Sequence, residues 1–309
     1  MIITVTLNPA LDKTVDIDEF KIGNVNRIMS TRFDAGGKGI NVSKVVNELK
    51  HKSIALGFLG GGSGSKIKQY LDGLNIDNEF LSFKGETRTN LKIIDKVNRT
   101  HTDINESGPS LDEQDIKNIK EKIMEYCTFD SLVVLSGSVP SGVCSDIYGE
   151  IIKAVKTMGG KVILDADGEM LMHGIKAGPY MVKPNIDELQ EAFGITINNE
   201  DEVIKTAKKV LEYGVKYVVI SQGSEGSLFI SGDKVAKVKG IKVEVKSTVG
   251  AGDSMVAALA VAVEAGYSFE EAIKLACATS TANVMTEGTQ TGKFEDIEKL
   301  KKQITINYL

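Results

Sequence analysis

Two glycines flank an alanine and an aspartate follows at once in Thr248-Val249-Gly250-Ala251-Gly252-Asp253. A strand-like run at Lys242–Lys246 precedes this segment, and a helical pattern apolar at Met255, Val256, Leu259 and Val263 follows it. Glycines ahead of a helix let backbone N–H groups converge, and the helix N-terminus adds partial positive charge. A turn of this kind can stabilise an oxyanion or a phosphoryl group in transit. Asp253 is then placed to take a proton from an attacking hydroxyl. The competing assignment is that Asp253 only complements the helix dipole.

Three more clusters carry the same ambiguity. Ala35-Gly36-Gly37-Lys38-Gly39-Ile40-Asn41 surrounds one lysine with glycines just before a helix. That suits close backbone approach to a phosphate, and it equally suits a tight turn with a surface lysine. Lys183-Pro184-Asn185-Ile186-Asp187-Glu188 follows a strand and opens a helix. Asn185 and Glu188 have capping-box spacing, and they could also face nucleotide phosphates through Mg²⁺ and its waters. Ser221-Gln222-Gly223-Ser224-Glu225-Gly226 reads as a hairpin loop or as a bed for a nucleotide. Neither GxxxxGK[ST] nor a GxGxxG opening a helix occurs, so P-loop and dinucleotide-binding chemistry lose their main support. The three histidines and three cysteines are scattered, which argues against zinc and a disulfide framework and suits a reducing compartment.

These segments must be positioned by a scaffold of 309 residues, long enough for one large α/β domain or two modest ones. With 42% hydrophobic and 26% charged residues the composition is that of an ordinary globular protein, and the net charge of −5 argues against a general nucleic-acid surface. No apolar run approaches the ~20 residues of a membrane span, and Met1–Asn8 reads as a strand rather than a signal peptide. Strands are expected at Ile2–Thr6, Ser53–Leu59, Ser131–Ser136, Lys161–Asp165, Tyr180–Lys183 and Lys216–Ser221. Helices are expected at Asn41–Lys50, Ser145–Met158, Ile186–Phe193, Glu200–Tyr213 and Asp253–Ala265, with a further one capped by Ser268 and Glu271. The alternation predicts a largely parallel sheet ending in antiparallel strands after Ser221. Lys13–Phe33 and Asn78–Ile104 break it, because no crossover helix follows their β segments. They predict a small separate β layer that could cover a site.

Asn8-Pro9-Ala10-Leu11-Asp12, Gly36–Asn41, Asn185–Glu188 and Thr248–Asp253, in this order, resemble the PfkB, or ribokinase-like, family of carbohydrate kinases across essentially the whole chain. The resemblance implies a single ribokinase-like kinase domain over 1-309. Its expected form is a three-layer α/β/α fold with a mostly parallel central sheet plus a small β-sheet lid from about 13-33 and 78-104. It implies Asp253 as base, with Gly250, Ala251 and Gly252 as anion hole. It places Asp12, Gly37, Asn41, Gly137 and Ser138 on the substrate side. It places Lys183, Asn185, Ser221, Gly223, Ser224, Gly226, Thr248 and Asn283 on the nucleotide side, with Glu188 holding Mg²⁺ through water. Arg27, Lys38 and Arg88 stand at positions matching the sugar-phosphate kinases of the family, so a phosphorylated ketohexose is the expected acceptor and ATP the donor. Fructose 1-phosphate phosphorylated at O6 is the first expectation. Tagatose 6-phosphate is the second, and an unphosphorylated sugar or nucleoside the third. A cytoplasmic enzyme, with a homodimer formed through apolar lid strands, completes the expectation. Asn105-Glu106-Ser107-Gly108-Pro109 departs from the family's common form, so no role is implied for Glu106 or Ser107.

Overall fold

Leu132-Val133-Val134-Leu135 has no polar face, and each of its two faces is covered by helices. Leu132 and Val134 pack into one apolar layer, while Val133 and Leu135 pack into the layer on the opposite side. Strands buried on both sides are the mark of a parallel sheet between two helical layers. This arrangement comes from a computed structural model that describes residues 1–309.

The chain opens with β1 (Ile2–Thr6), β2 (Ala10–Ile17), β3 (Ser30–Gly36) and α1 (Lys38–Glu48). β4 (Ser53–Leu59), α2 (Gly61–Gly73), β5 (Asp77–Ser82), β6 (Thr89–Asp95) and β7 (Thr100–Asn105) follow. The middle of the chain supplies α3 (Glu113–Tyr126), β8 (Leu132–Ser136), α4 (Ile147–Thr157), β9 (Lys161–Asp165), α5 (Gly168–Lys176) and β10 (Met181–Val182). Next come α6 (Ile186–Phe193), α7 (Glu200–Leu211), β11 (Tyr217–Ser221), β12 (Ser227–Ser231) and β13 (Lys234–Val238). It ends with α8 (Ala251–Glu264), α9 (Phe269–Val284), α10 (Phe294–Lys301) and β14 (Ile306–Tyr308).

The large sheet runs β14-β13-β12-β11-β10-β9-β8-β1-β4-β5. From β11 to β5 every pairing is parallel, and the β12, β13 and β14 edge is antiparallel. Helices α1, α8, α9 and α10 cover one face, and α3 to α7 cover the other. The second sheet is β3-β2-β6-β7, in which β2 pairs antiparallel with β3 and parallel with β6. The expected three-layer fold with a small added sheet is therefore the fold observed.

Four details differ from expectation. Asn78–Ser82 lies in β5 and pairs parallel with β4 in the large sheet, so only the later part of 78-104 belongs to the small one. Lys242–Lys246 forms no strand. Helix α2 was hidden by its glycines, which have poor helix propensity, and burial of Ile67 and Leu71 overrides that. Helix α3, not among the expected helices, carries a capping box between Asp112 and Asp115, a start signal present in the sequence.

Candidate active site

Parallel strands all end on the same side, and ligands of α/β sheets bind in the crevice there. Thr6 of β1, Ser136 of β8, Asp165 of β9, Lys183 just past β10 and Ser221 of β11 all line one cleft of about 550 Å³. The starts of α1 and α8 border it, and the small sheet adds Asp12, Asn90, Lys92, Asp103 and Asn105.

Helix α8 starts after Gly250, which is left-handed with φ 83°. A side chain there would be strained, which explains the glycine without reference to a ligand. The Ser254 N–H bonds to the Gly250 carbonyl at 2.8 Å, while the N–H groups of Gly252 and Asp253 have no acceptor in the chain. Asp253 is 7% exposed and accepts a hydrogen bond from Asn41 Nδ2 at 2.8 Å. Burial pushes its pKa up to about 6 and Asp165 adds to the rise, against the Asn41 hydrogen bond and the charges of Lys38 and Lys183. At that value the carboxylate is mostly ionised at neutral pH and more basic than an exposed one, as a proton acceptor requires.

Beside it lies a charge network centred on the buried Asp165. Asp165 sits between Lys183, whose Nζ is 3.2 Å from Oδ1, and Lys38, whose Nζ is 3.6 Å from Oδ2. Burial opposes the Asp165 charge, but Lys183 and Lys38 outweigh it and hold the carboxyl below its ordinary range. Burial likewise opposes the charge of Lys38, and the surrounding Asp165, Asp253, Glu188 and Asp167 outweigh it, raising the ammonium above its ordinary value. A Cβ built on Gly252 would come within 3.4 Å of Lys183 Nζ, so this ammonium lies against the glycine turn of α8.

On the small-sheet side, Asp12 accepts hydrogen bonds from Asn90 Nδ2 and Lys92 Nζ, each at 3.0 Å. Arg88 donates from Nη1 to the Glu106 carbonyl and from Nη2 to the Asn8 carbonyl, each at 3.0 Å, and its buried Nε has no partner. Asn8 Nδ2 reaches Ser107 O at 3.1 Å and Ser138 Oγ at 3.4 Å.

The substrate-side residues Asp12, Gly37, Lys38, Asn41, Arg88, Gly137 and Ser138 meet in this cleft, and Arg27 does not. Arg27 is exposed in the 18–29 segment between β2 and β3, rather than on a strand. Lys92 is the cation that sequence reasoning missed. It lies two residues after Asn90 on β6, so strand alternation puts both on one face. Asp165 was missed as well, although a polar residue ending a buried parallel strand was the available signal.

On the nucleotide side Lys183, Asn185, Glu188 and Ser221 line the cleft, whereas Gly223, Ser224, Gly226, Thr248 and Asn283 do not, and neither does Ala251. Gly223 and Ser224 belong to a 3₁₀ turn between β11 and β12. A Cβ on Gly226 would lie 1.9 Å from Val238 O, so close strand approach accounts for that glycine. Thr248 is exposed on the approach to α8. Asn283 is 2% exposed and donates to Gln290 O at 2.9 Å behind the Gly250 turn.

Asn185 and Glu188 cap each other. Asn185 Oδ1 accepts from the Glu188 N–H at 2.7 Å, and Glu188 Oε2 accepts from the Asn185 N–H at 2.8 Å. Burial raises the Glu188 pKa against that backbone bond. No three His, Cys, Asp or Glu residues are grouped to hold a bare metal ion. Glu188, with Oε1 left over from the cap, suits an ion carried by nucleotide phosphates and met through water.

A doubly covered α/β sheet, a cleft at its carboxyl strand ends, and free helix-start amides beside a buried carboxylate, the buried Lys183 and the partly exposed Lys38 are the arrangement of a ribokinase-like small-molecule kinase. Residues 5–296 match the profile described as pfkB family carbohydrate kinase, and the chain belongs to that family. It is 38% identical to 1-phosphofructokinase of Borreliella burgdorferi over 99% of this chain and 98% of the relative. It is 34% identical to tagatose-6-phosphate kinase of Staphylococcus epidermidis over 97% of this chain and 98% of the relative. The solved structure of phosphofructokinase-2 from Escherichia coli in complex with potassium superposes with a TM-score of 0.94 at 29% identity, covering 98% of each chain. The protein is thus a kinase, with ATP as its co-substrate.

Proposed function

We propose that this kinase phosphorylates a sugar phosphate, specifically fructose 1-phosphate at O6, giving fructose 1,6-bisphosphate and ADP. The observation that carries the reading is the pairing of Asp253 with the Lys38–Asp165–Lys183 network at one part of the cleft, and of Arg88 and Lys92 with the small-sheet side. Arg88 would meet the substrate phosphate through its unpartnered Nε, and Asp12 and Asn41 the sugar hydroxyls. Asp253 takes the O6 proton as O6 bonds to the γ-phosphorus and the bond from that phosphorus to the β–γ bridging oxygen breaks. Lys183 and the Gly252 and Asp253 amides stabilise charge on the oxygens in transit. Lys38, drawn toward Asp165 and Asp253, fits this transfer point better than a distant substrate phosphate. Mg²⁺ on the nucleotide phosphates would neutralise charge there, with Glu188 holding it through water.

The chain reads as one domain in which the small sheet acts as a lid that excludes water and limits idle ATP hydrolysis. Ile22 and Val25, 90% and 86% exposed beside that sheet, support a homodimer formed through it. ATP and sugar phosphates being cytoplasmic metabolites, the reading places the enzyme there.

Tagatose 6-phosphate, phosphorylated at O1 to the 1,6-bisphosphate, is the second reading, favoured by the relative that carries that name. Coupled ADP release against fructose 1-phosphate, tagatose 6-phosphate, fructose 6-phosphate, fructose, ribose and adenosine tests both. The highest kcat/KM is expected with fructose 1-phosphate. Equal turnover of fructose or adenosine would remove the phosphate-binding role altogether.

A further inference from the structure

Helix α2 begins Gly61-Gly62-Ser63-Gly64, preceded by Gly60, and no side chain of its own N-cap serves the first turn. That start attracts negative charge, and the chain itself supplies the anion. Glu86 Oε2 accepts from the Gly62 N–H at 3.1 Å, and Oε1 accepts from the Ser63 N–H. Gly61 is left-handed with φ 63°, and a Cβ there would lie 1.9 Å from Glu86 Oε2. The glycine therefore makes room for this carboxylate.

The place of Glu86 in the chain gives the contact its meaning. β5 ends at Ser82 in the large sheet and β6 begins at Thr89 in the small one, so residues 83–88 are the crossing between the two bodies. Thr87 is fastened beside Glu86. Its N–H donates to Gly60 O at 3.0 Å and its Oγ1 accepts from the Gly60 N–H at 2.9 Å. The next residue is Arg88, whose carbonyl accepts from the Leu11 N–H of β2 at 2.9 Å. Within three residues the chain passes from bonds with α2, through two bonds with Gly60, to a guanidinium that lines the cleft.

We propose that Glu86 is a positioning residue: its carboxylate, seated on the α2 N-terminus, locks the crossing between the sheets and thereby aims Arg88 at the phosphate of the acceptor. The role of Arg88 in this statement rests on the function proposed above; the lock itself rests on the Glu86 contacts alone. Glu86 is exposed, so its removal leaves the apolar layers untouched.

The test is a double-mutant cycle in the full-length protein with Glu86→Ala, Arg88→Ala and the pair, read as separate KM values for fructose 1-phosphate and ATP. Glu86→Gln and Gly61→Ala serve as companion variants. Glu86→Ala is expected to raise the sugar-phosphate KM about tenfold, the size of a weakened charge-assisted contact between Arg88 and the phosphate, with kcat within about twofold and the ATP KM unchanged. The double variant is expected to be no worse than Arg88→Ala, because Glu86 acts through Arg88. Gly61→Ala should reproduce the Glu86→Ala shift, and Glu86→Gln should fall between wild type and Glu86→Ala. Amide hydrogen exchange across 83–89 should quicken in Glu86→Ala at unchanged Tm. Additive effects, or a Glu86→Ala KM equal to wild type while Arg88→Ala is impaired, would overturn the proposal. If Arg88→Ala leaves the sugar-phosphate KM unchanged, the phosphate reading fails, and the exchange result alone then decides whether the lock exists.

Discussion

Strand ends of the large sheet reach the cleft from between two apolar layers of 34 and 29 buried residues, while the small sheet has only Val15, Ile17 and Ile93 as a buried group of its own. Its root gains support where Leu11 and Ala35 pack with Leu59, Ile67 and Leu71 near α2. Groups that need fixed geometry stand on the thick side: Asp253, Asp165 and Lys183. The groups that would meet the acceptor under the proposed function stand on the thin one: Asp12, Asn90, Lys92 and, at its entry, Arg88. Preorganised charge loses its value when its support moves, whereas a recognition surface can close over its ligand. The division also explains the two kinds of charge satisfaction. On the thick side one carboxylate, Asp165, is shared by two ammonium groups; on the thin side Lys92 pairs singly with Asp12, and Arg88 is held by two carbonyls and keeps one donor spare.

If the thick side carries the chemistry, its variants should strike kcat. Asp253→Asn is expected to lower kcat by about 10²–10⁴-fold. In the wild type, log kcat/KM should fall with unit slope below about pH 6, since the base must be ionised. The sign for stability is opposite. The folded pKa lies above the ordinary 3.8, so the native state holds the proton more tightly, and the burial penalty is fully present above about pH 6. Asp253→Asn should therefore melt at or above the wild-type temperature at pH 8, by calorimetry. A large loss of stability would make Asp253 a structural residue instead.

Asp165→Asn should do harm of both kinds. It removes the carboxylate paired with both Lys183, 5% exposed, and Lys38, leaving only the more distant Asp253 and Glu188 as negative charges near them. A loss of about 3–5 kcal/mol is expected from breaking one member of a buried pair, together with a kcat reduction of about 10²-fold. Denaturant unfolding and steady-state kinetics check the two parts, and an unchanged kcat would separate this network from the transfer step.

On the thin side the effect should move to KM. Arg88→Ala is expected to raise the sugar-phosphate KM about ten- to a hundredfold and the ATP KM less than twofold. Equal effects on both would erase the contrast between the two sheets. Smallest of all, Ile22→Ser with Val25→Ser should shift sedimentation toward a monomer while changing monomer Tm by less than about 2 °C, because neither side chain is buried in the single chain.

Short apolar runs alternating with helical patterns, and turn residues between them, were enough to place most of the parallel strands and the antiparallel edge, since run length and helix periodicity are local properties of the chain. The ordered glycine motifs were enough to mark the α1 and α8 starts and Asp253. The capping-box spacing of Asn185 and Glu188 was visible in the letters, but not that the cap leaves Glu188 Oε1 free at the cleft, nor that Gly226 answers to a neighbouring strand. Lys38 stands in the cleft as expected, but its partner Asp165 lies more than a hundred residues away on another strand, beyond the reach of local pattern. Arg27 looked like a third cation until the β2–β3 connection carried it out of the cleft. The sequence by itself determined the family, the α/β alternation and the residue types needed for phosphoryl transfer. Only the tertiary structure decided which cations share the cleft and which carboxylate holds them, because burial and through-space charge depend on distances that the order of residues does not encode.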